Sequence, residues 1–281
     1  MNTRLPLTAI ILTYNEERNI GRCLESIKEI TQEIIVVDSF STDSTIEISK
    51  KYTDKVYQHP FENFAQQRNW AQDNLAIKNE WVIHLDADEA FTPELSLELR
   101  RIFSNKVAYD GLMFARRTIF RGRWIRYGGH YPVYQLRIFK KDKGRSEERL
   151  YDQNYIVNGE ALVIKGDIIN IIESDLKTWK AKHKKWAVLE AQEILLNKDR
   201  IMNIRFTGSP IARRNWLRYK IYYNMPLFVR PFIYFFYRYI IRFGFLDGKQ
   251  GAIFHFWQGF WYRLLVDIEV NKLRQKRKCI S

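Results

Sequence analysis

The chain predicts an α/β fold: a doubly wound, mostly parallel sheet with helices on both faces, continued by a C-terminal helical amphipathic extension. Three observations predict it. Apolar, β-branched runs of strand length alternate with stretches of helical period through about the first 100 residues. Polar residues gather just past the ends of those runs, where parallel sheets bind their ligands. From residue 173 onward the pattern is helical, basic and aromatic. A division follows, with 1–172 as the α/β domain and 173–281 as the helical region.

"LTAIILT" (Leu7 to Thr13) and "EIIVVDS" (Glu33 to Ser39) are continuous apolar runs, as expected of strands covered on both faces. Between them, "NEERNIGRCLESIKEI" puts Ile20, Leu24, Ile27 and Ile30 on one helical stripe, with Asn15 as a candidate cap and Glu16 and Glu17 in the first turn. "DSFSTDSTIEISKKY" repeats the strand-to-helix step, with Ser41 or Thr42 placed to cap a helix carrying Ile46 and Ile48. "KVYQHP", the helix-compatible "FAQQRNWAQDNLAI" and "EWVIHLD" complete the alternation of a parallel sheet. The rim past the strand ends therefore collects three sets: Tyr14, Asn15 and Glu16; Asp38, Ser39 and Ser41; Asp86, Asp88 and Glu89. Neither G-x-G-x-x-G nor G-x-x-x-x-G-K-[ST] is present, so a dinucleotide fingerprint and a P-loop are both unsupported.

A net charge of +14, from 46 Lys+Arg against 32 Asp+Glu, favours an anionic partner. The only cysteines, Cys23 and Cys279, are too few for a disulfide scaffold and poorly placed for a metal cage, which points to a reducing compartment. "MNTRLPLTAIILTYNEE" has no small-residue cleavage site before its acids and reads as a first core strand. A nucleic-acid-binding protein would use the charge, but it would interleave basic and aromatic residues in one groove, whereas here acids occupy the expected ligand rim. Nucleic acid is not an expected partner. A nucleotidyltransferase would need a Gly-rich phosphate loop after the first strand, and "TYNEERN" has none.

Three acids within four positions, Asp86, Asp88 and Glu89, repel one another unless something compensates them. On extended backbone, Asp86 and Asp88 would point to one side, because strand side chains alternate with period two. Such a pair without cysteine or histidine suits a hard cation, Mg²⁺ or Mn²⁺, which takes its other ligands from water and substrate phosphates. Transfer from a nucleotide diphosphate is the implied reaction class.

"AIILTYNEERNIGRCLESI", "EIIVVDSFSTDST", "FAQQRNWA" and "WVIHLDADE" together resemble the family 2 glycosyltransferases, inverting enzymes of the GT-A fold. A weaker resemblance runs on through "YQLRIFKK" and "GFLDGKQG" to the subgroup that extends lipopolysaccharide core, including the β-1,4-glucosyltransferases, or builds exopolysaccharide. The resemblance implies a UDP-sugar donor. Thr13, Asn15, Glu16 and Asp38 would hold its uracil and ribose, and Arg68 and Asn69 would line the nucleotide pocket. Asp86 would sit near ribose and metal, with Asp88 as the direct metal ligand. Gln135 and Arg137 would meet the acceptor or the diphosphate. A carboxylate must deprotonate the acceptor hydroxyl; the chain departs from the subgroup's His-Glu pair and offers Asp152, favoured for its place in "LYDQ", with Glu148 next. Gln-x-x-Arg-Trp, the mark of the processive members, is absent, so addition of a single sugar is expected.

In the C-terminal half, the uncharged run Pro231 to Tyr237 is only seven residues long and the run 251–262 is also too short to cross a bilayer, which takes about twenty. Arg230, Arg238 and Arg242 fall on one helical side with Phe, Tyr and Ile opposite, the pattern of a helix lying in a membrane interface. "SDLKTWKAKHKKWAVLEAQEILL" sets Trp179, Trp186 and Leu189 against a Lys-rich face, and stacked, hydrogen-bonded roles are expected of His130, His183 and His255. The expected setting is the cytoplasmic, inner face of the cytoplasmic membrane, with peripheral attachment and a lipid-linked, lipopolysaccharide or exopolysaccharide acceptor. The aromatic surface would face lipid or a second copy of the chain in a homo-oligomer.

Overall fold

The computed structural model describes residues 4–149, 153–172, 176–196 and 210–280. In chain order the elements are β1 (Leu5–Thr13), α1 (Ile20–Ile27), β2 (Thr31–Asp38), α2 (Thr45–Lys50), β3 (Val56–Gln58), α3 (Phe64–Asn74), β4 (Trp81–Asp86), β5 (Glu89–Phe91) and α4 (Pro93–Phe103). Then come β6 (Gly111–Phe120), β7 (Arg123–Ile125), β8 (Tyr134–Lys140), β9 (Gly144–Ser146), β10 (Tyr155–Val157) and β11 (Ala161–Ile172). The helical part contains α5 (Leu176–Leu196), α6 (Pro210–Trp216), α7 (Arg230–Phe236), α8 (Gly248–Phe254) and α9 (Tyr262–Ile280). The chain divides into two compact units. The first is Met1–Thr118, Val133–Glu148 and Gln153–Ile171; the second is Ile119–Pro132, Arg149–Asp152 and Ile172–Ser281. A boundary drawn at one point in the sequence therefore misses a detour: Ile119–Pro132 belongs with the helical unit.

In the first unit the strands lie in the order β3-β2-β1-β4-β8-β6-β11-β5. β3, β2, β1 and β4 are parallel, as the alternation of strand and helix predicts. The pairs β4 with β8, β8 with β6, and β11 with β5 are antiparallel. Beyond α4 the chain supplies no crossover helix between β6 and β8, and short connections return antiparallel.

Leu7, Ala9 and Ile11 of β1 join Ile20, Cys23, Leu24 and Ile27 of α1 and Leu95 and Leu99 of α4 in one buried cluster. The predicted α1 stripe is thus the core-facing one. Asn15 does not cap this helix: Asn19 precedes it, without a side-chain cap, and Asn15 sits at φ 53° in the preceding loop. α2 likewise begins at Thr45 after Ser44, later than Ser41 or Thr42 would set it. On β11, a Cβ added at Gly166 would lie 2.5 Å from Leu95 Cα, so the backbones of β11 and α4 touch there. Gly166→Ala is expected to lower stability by about 1–3 kcal/mol through overpacking, measurable as a fall in melting temperature.

The second unit carries its own core. Ala187, Ala191 and Ile194 of α5 pack on Tyr262, Val266 and Val270 of α9. Inside it, the Glu190 carboxylate accepts from Arg218, Tyr223, Tyr262 and Arg263 at 2.7–2.9 Å. His183 is buried, stacked on Trp179 with ring centroids 3.4 Å apart and 2.9 Å from Gln258 Oε1, as expected of a structural histidine.

Candidate active site

Strand register builds the rim. Thr13 is paired across β1 and β2 with Asp38, and Leu12 across β1 and β4 with Asp86, so the polar ends of three neighbouring parallel strands lie side by side. Thr13 is 4% exposed and its Oγ1 has no hydrogen-bond partner among the described residues. An unpaired buried hydroxyl is costly unless a ligand completes it.

The loops beyond β1 and β2 are laced together. Asn15 donates its backbone N–H to Ser41 Oγ (2.9 Å) and accepts at Oδ1 from the Thr42 N–H (2.8 Å). Glu16 N–H donates to Thr45 Oγ1 at 2.8 Å, and Glu16 Oε2 accepts from Asn19 Nδ2 at 2.6 Å. Asp38, fully buried, accepts from the Ser41 N–H at 2.8 Å and from the Ser41 hydroxyl. Asn15 at the surface and Asp38 in the interior thus tie the loops together, while Tyr14 and Phe40 beside them stand 58% and 52% exposed.

Asp86 ends β4 and is flanked by guanidiniums. Arg68, on α3, donates to Asp86 Oδ1 at 2.8 Å, and Arg137, on β8, approaches Oδ2 at 3.7 Å. Burial pushes the Asp86 carboxyl up, but these two arginines outweigh it and hold it well below the usual carboxylate range. Arg137 is 4% exposed. It donates from Nη2 to Glu89 Oε1 (2.8 Å), from Nη1 to His84 O (3.3 Å) and from Nε to Gln135 Oε1 (2.9 Å). The expected contact of Arg137 with acceptor or diphosphate differs from this placement, in which the protein's own acids and carbonyl engage the guanidinium. Glu89, fully buried, also accepts the Asp86 N–H at 3.0 Å; burial pushes its carboxyl up and Arg137 pulls against that.

Asp88 follows in a turn. The backbone leaves the strand at Ala87 and Asp88 and re-enters one at Glu89, so the period-two argument for Asp86 and Asp88 does not apply. The turn is pinned where Ile171 N–H donates to Asp88 O at 3.2 Å, and the side chain is half-buried. Among the described residues no group of three or more His, Cys, Asp or Glu side chains is assembled to hold a metal. Asp86 already carries the charge of Arg68, and carboxylate oxygens such as those of Asp86 and Asp88 are of the kind a hard cation takes alongside substrate and water.

Asn69 is tied elsewhere: its amide donates to Ser146 O (3.1 Å) and accepts from Ser146 N (3.0 Å), clamping α3 to β9. Glu148 is exposed, just past β9, and Asp152 lies outside the described residues. Two groups were not singled out by sequence reasoning. Tyr155 lies under both guanidiniums, 5.3 Å from Arg68 and 5.7 Å from Arg137, and stacks on His84 at 5.3 Å. Its aromatic character in a strand was the only signal. His84 is pushed down to about 3 by burial and by Arg68 and Arg137. Its ring is expected to stay neutral from pH 8 to about pH 5; ¹⁵N chemical shifts of the imidazole through a pH titration check this, and a midpoint near 6.5 would contradict it.

The family model for glycosyl transferase family 2 matches residues 8–154. The chain is similar, at 40% identity over 99 residues, to an uncharacterized glycosyltransferase of Rickettsia conorii, covering 35% of this chain and 34% of that one. It thus spans about a third of the length of the Rickettsia relatives. It is 25% identical over 265 residues to LpsC of Rhizobium meliloti, a lipopolysaccharide core biosynthesis glycosyltransferase, with 91% of each chain covered. Solved structures are similar as well, two of them as follows. Mannosyl-3-phosphoglycerate synthase from Rubrobacter xylanophilus has TM-score 0.46 and 14% identity, covering 74% of this chain and 80% of that one. S. aureus TarS 1–349 in complex with UDP has TM-score 0.43 and 17% identity, covering 96% and 91%.

Proposed function

Because the chain belongs to glycosyl transferase family 2, we propose that it moves a single sugar, with inversion, from a UDP-sugar to a lipid-linked, lipopolysaccharide or exopolysaccharide acceptor. The observation that carries the donor half is the aligned rim of Thr13, Asp38 and Asp86 on β1, β2 and β4, with the unpartnered Thr13 hydroxyl among them. The acceptor half is supported by likeness to LpsC along 91% of both chains.

In this reading Asp38 and the Asn15–Glu16 loop receive the ribose and uracil, and the exposed rings of Tyr14 and Phe40 offer flat surfaces for the base. Arg68 and Arg137 fix the Asp86 carboxylate so that it meets the ligand ionised and without reorganisation. Asp88 would hold a Mg²⁺ or Mn²⁺ ion directly, with Asp86 beside it. Such a cation, when bound, neutralises the departing diphosphate. Deprotonation of the acceptor hydroxyl falls to a carboxylate, Asp152 first and Glu148 second. The amide variant of the residue that serves is expected to lose about 10²- to 10⁴-fold in turnover, the other variant little.

Titration calorimetry with UDP, GDP and CMP, with and without Mn²⁺, tests the donor site. UDP binding that needs Mn²⁺ is the expected outcome. Absence of nucleotide binding under every condition would sink the donor assignment.

A further inference from the structure

The helical unit contains an amphipathic segment turned inside out. α7 continues through a π-helical turn, Tyr237–Ile241, to Phe243 at φ 58°. Two of its three arginines point inward. Arg230 is 1% exposed and donates from Nε to Asp267 Oδ1 at 2.7 Å. Arg238 is buried too, donating to the Gly128 carbonyl at 2.7 Å. The opposite face, with Phe232, Ile233, Phe236, Ile240, Ile241 and Phe243, stands in solvent, Phe232 at 59% and Phe236 at 56% exposure. A water-exposed helix normally buries its apolar stripe and shows its charges. The unit does not lack a core that would explain the reversal, since α5 and α9 close one of their own.

Contiguous exposed apolar surface of this kind marks an interaction site, and charge chooses the occupant. Between residues 210 and 260 there are eight Lys and Arg and one acid, Asp247; with Arg230 and Arg238 buried, six basic residues of the stretch remain. That acid is buried, accepting the N–H groups of Arg126 and Tyr127 at 3.0 Å, so it does not lower the charge at the surface. Exposed basic side chains remain at Arg242 and Lys249. A second copy would bring the same positive surface against itself, whereas anionic headgroups complement it. No helix among the described residues is long and apolar enough to cross a membrane.

We propose that this face is a monotopic docking surface for an anionic lipid bilayer: the aromatic ridge of α7 and its π turn enters the headgroup–acyl boundary while the buried arginines hold the ridge outward from within. The assignment goes beyond the catalytic reading and does not depend on it.

The test is co-sedimentation of the full chain with vesicles of phosphatidylglycerol and phosphatidylethanolamine, against phosphatidylcholine alone, in about 0.15 M salt. Wild type is expected to partition at least about tenfold more onto the anionic vesicles. Phe232→Ser, Phe236→Ser and Ile240→Ser combined should weaken that at least about tenfold with unchanged melting temperature. Arg242→Glu, a single exposed change, should weaken it while leaving partition onto phosphatidylcholine unaltered, and serves if the triple variant fails to fold. Variants that partition like wild type would overturn the proposal, as would a wild type that ignores vesicles. So would a dimer, seen by light scattering without vesicles, that the triple variant dissolves, since the face would then belong to a second copy. Nucleotide titration on the same samples reports separately on the donor site.

Discussion

Asp88→Ala is expected to remove sugar transfer to background while leaving the protein folded. The turn that carries Asp88 is held through its backbone carbonyl, which accepts from Ile171 N–H at 3.2 Å, and truncating the side chain leaves that bond in place. What goes is a carboxylate at the end of β4 where the proposed reaction needs a cation against a departing diphosphate. Metal stabilisation of that charge is worth several kcal/mol, and each 1.36 kcal/mol is tenfold in rate. A fall in turnover of about 10²- to 10⁴-fold follows. Calorimetry separates this from a folding defect: the Mn²⁺-dependent part of UDP binding should disappear in Asp88→Ala, while any binding without metal stays at the wild-type level. Asp88→Asn, which keeps the volume and removes the charge, should behave like the alanine variant. Full turnover of Asp88→Ala in a metal-replete assay would falsify the assignment of the site.

The α1 stripe and the strand-end positions of Asp38 and Asp86 were legible because each rests on local periodicity plus one topological rule: strands separated by helices run parallel and present their ends on one rim. Asn15 and Asp88 were not legible in detail. Asn15 takes a left-handed φ because its partners are Ser41 and Thr42 on another loop, and Asn tolerates that conformation well. The turn at Ala87–Asp88 interrupts an apolar run without any Gly or Pro to announce it. The bond from Arg137 to Glu89 spans 48 residues and that from Asn69 to Ser146 spans 77, distances over which a single sequence carries no pairing signal. In the helical unit, periodicity separated an arginine side from an aromatic side that would face lipid or a second copy, but not that Arg230 and Arg238 would be buried. The acceptors decided that: Asp267 and the Gly128 carbonyl lie in the interior and draw Arg230 and Arg238 to them.

The second large effect concerns Arg137, which sits between the buried Glu89 carboxylate and the partly exposed Asp86 carboxylate. Glu89 is fully buried and Asp86 sits next to it, its N–H on Glu89 Oε2 at 3.0 Å; Arg137 reaches both acids, at 2.8 and 3.7 Å. Arg116, 3.9 Å from Glu89, is the weaker of the cations beside that carboxylate. Removing one partner of such a set strands the other's charge, at about 3–5 kcal/mol. Arg137→Met, close in volume, is therefore expected to lower the melting temperature by about 6–20 °C in a chain of this length. The two carboxyls contribute to the pH dependence with opposite signs: that of Glu89, raised by burial, is present at low pH and lost as pH rises toward about 7, and that of Asp86 runs the other way. The Asp86 carboxyl is depressed in the folded state, so its contribution to stability is present above its unfolded pKa of about 3.9 and is lost as pH falls below that. With Arg137 gone, part of the depression goes too, and the acid side of the stability curve should flatten. Adding Glu89→Gln removes the stranded charge, so the double variant should recover much of the lost stability without recovering transfer, because the Asp86 carboxylate still lacks one of its two guanidiniums. A double variant no more stable than Arg137→Met would show that the arginine acts through packing alone, and the charge-sharing account of the site would fall.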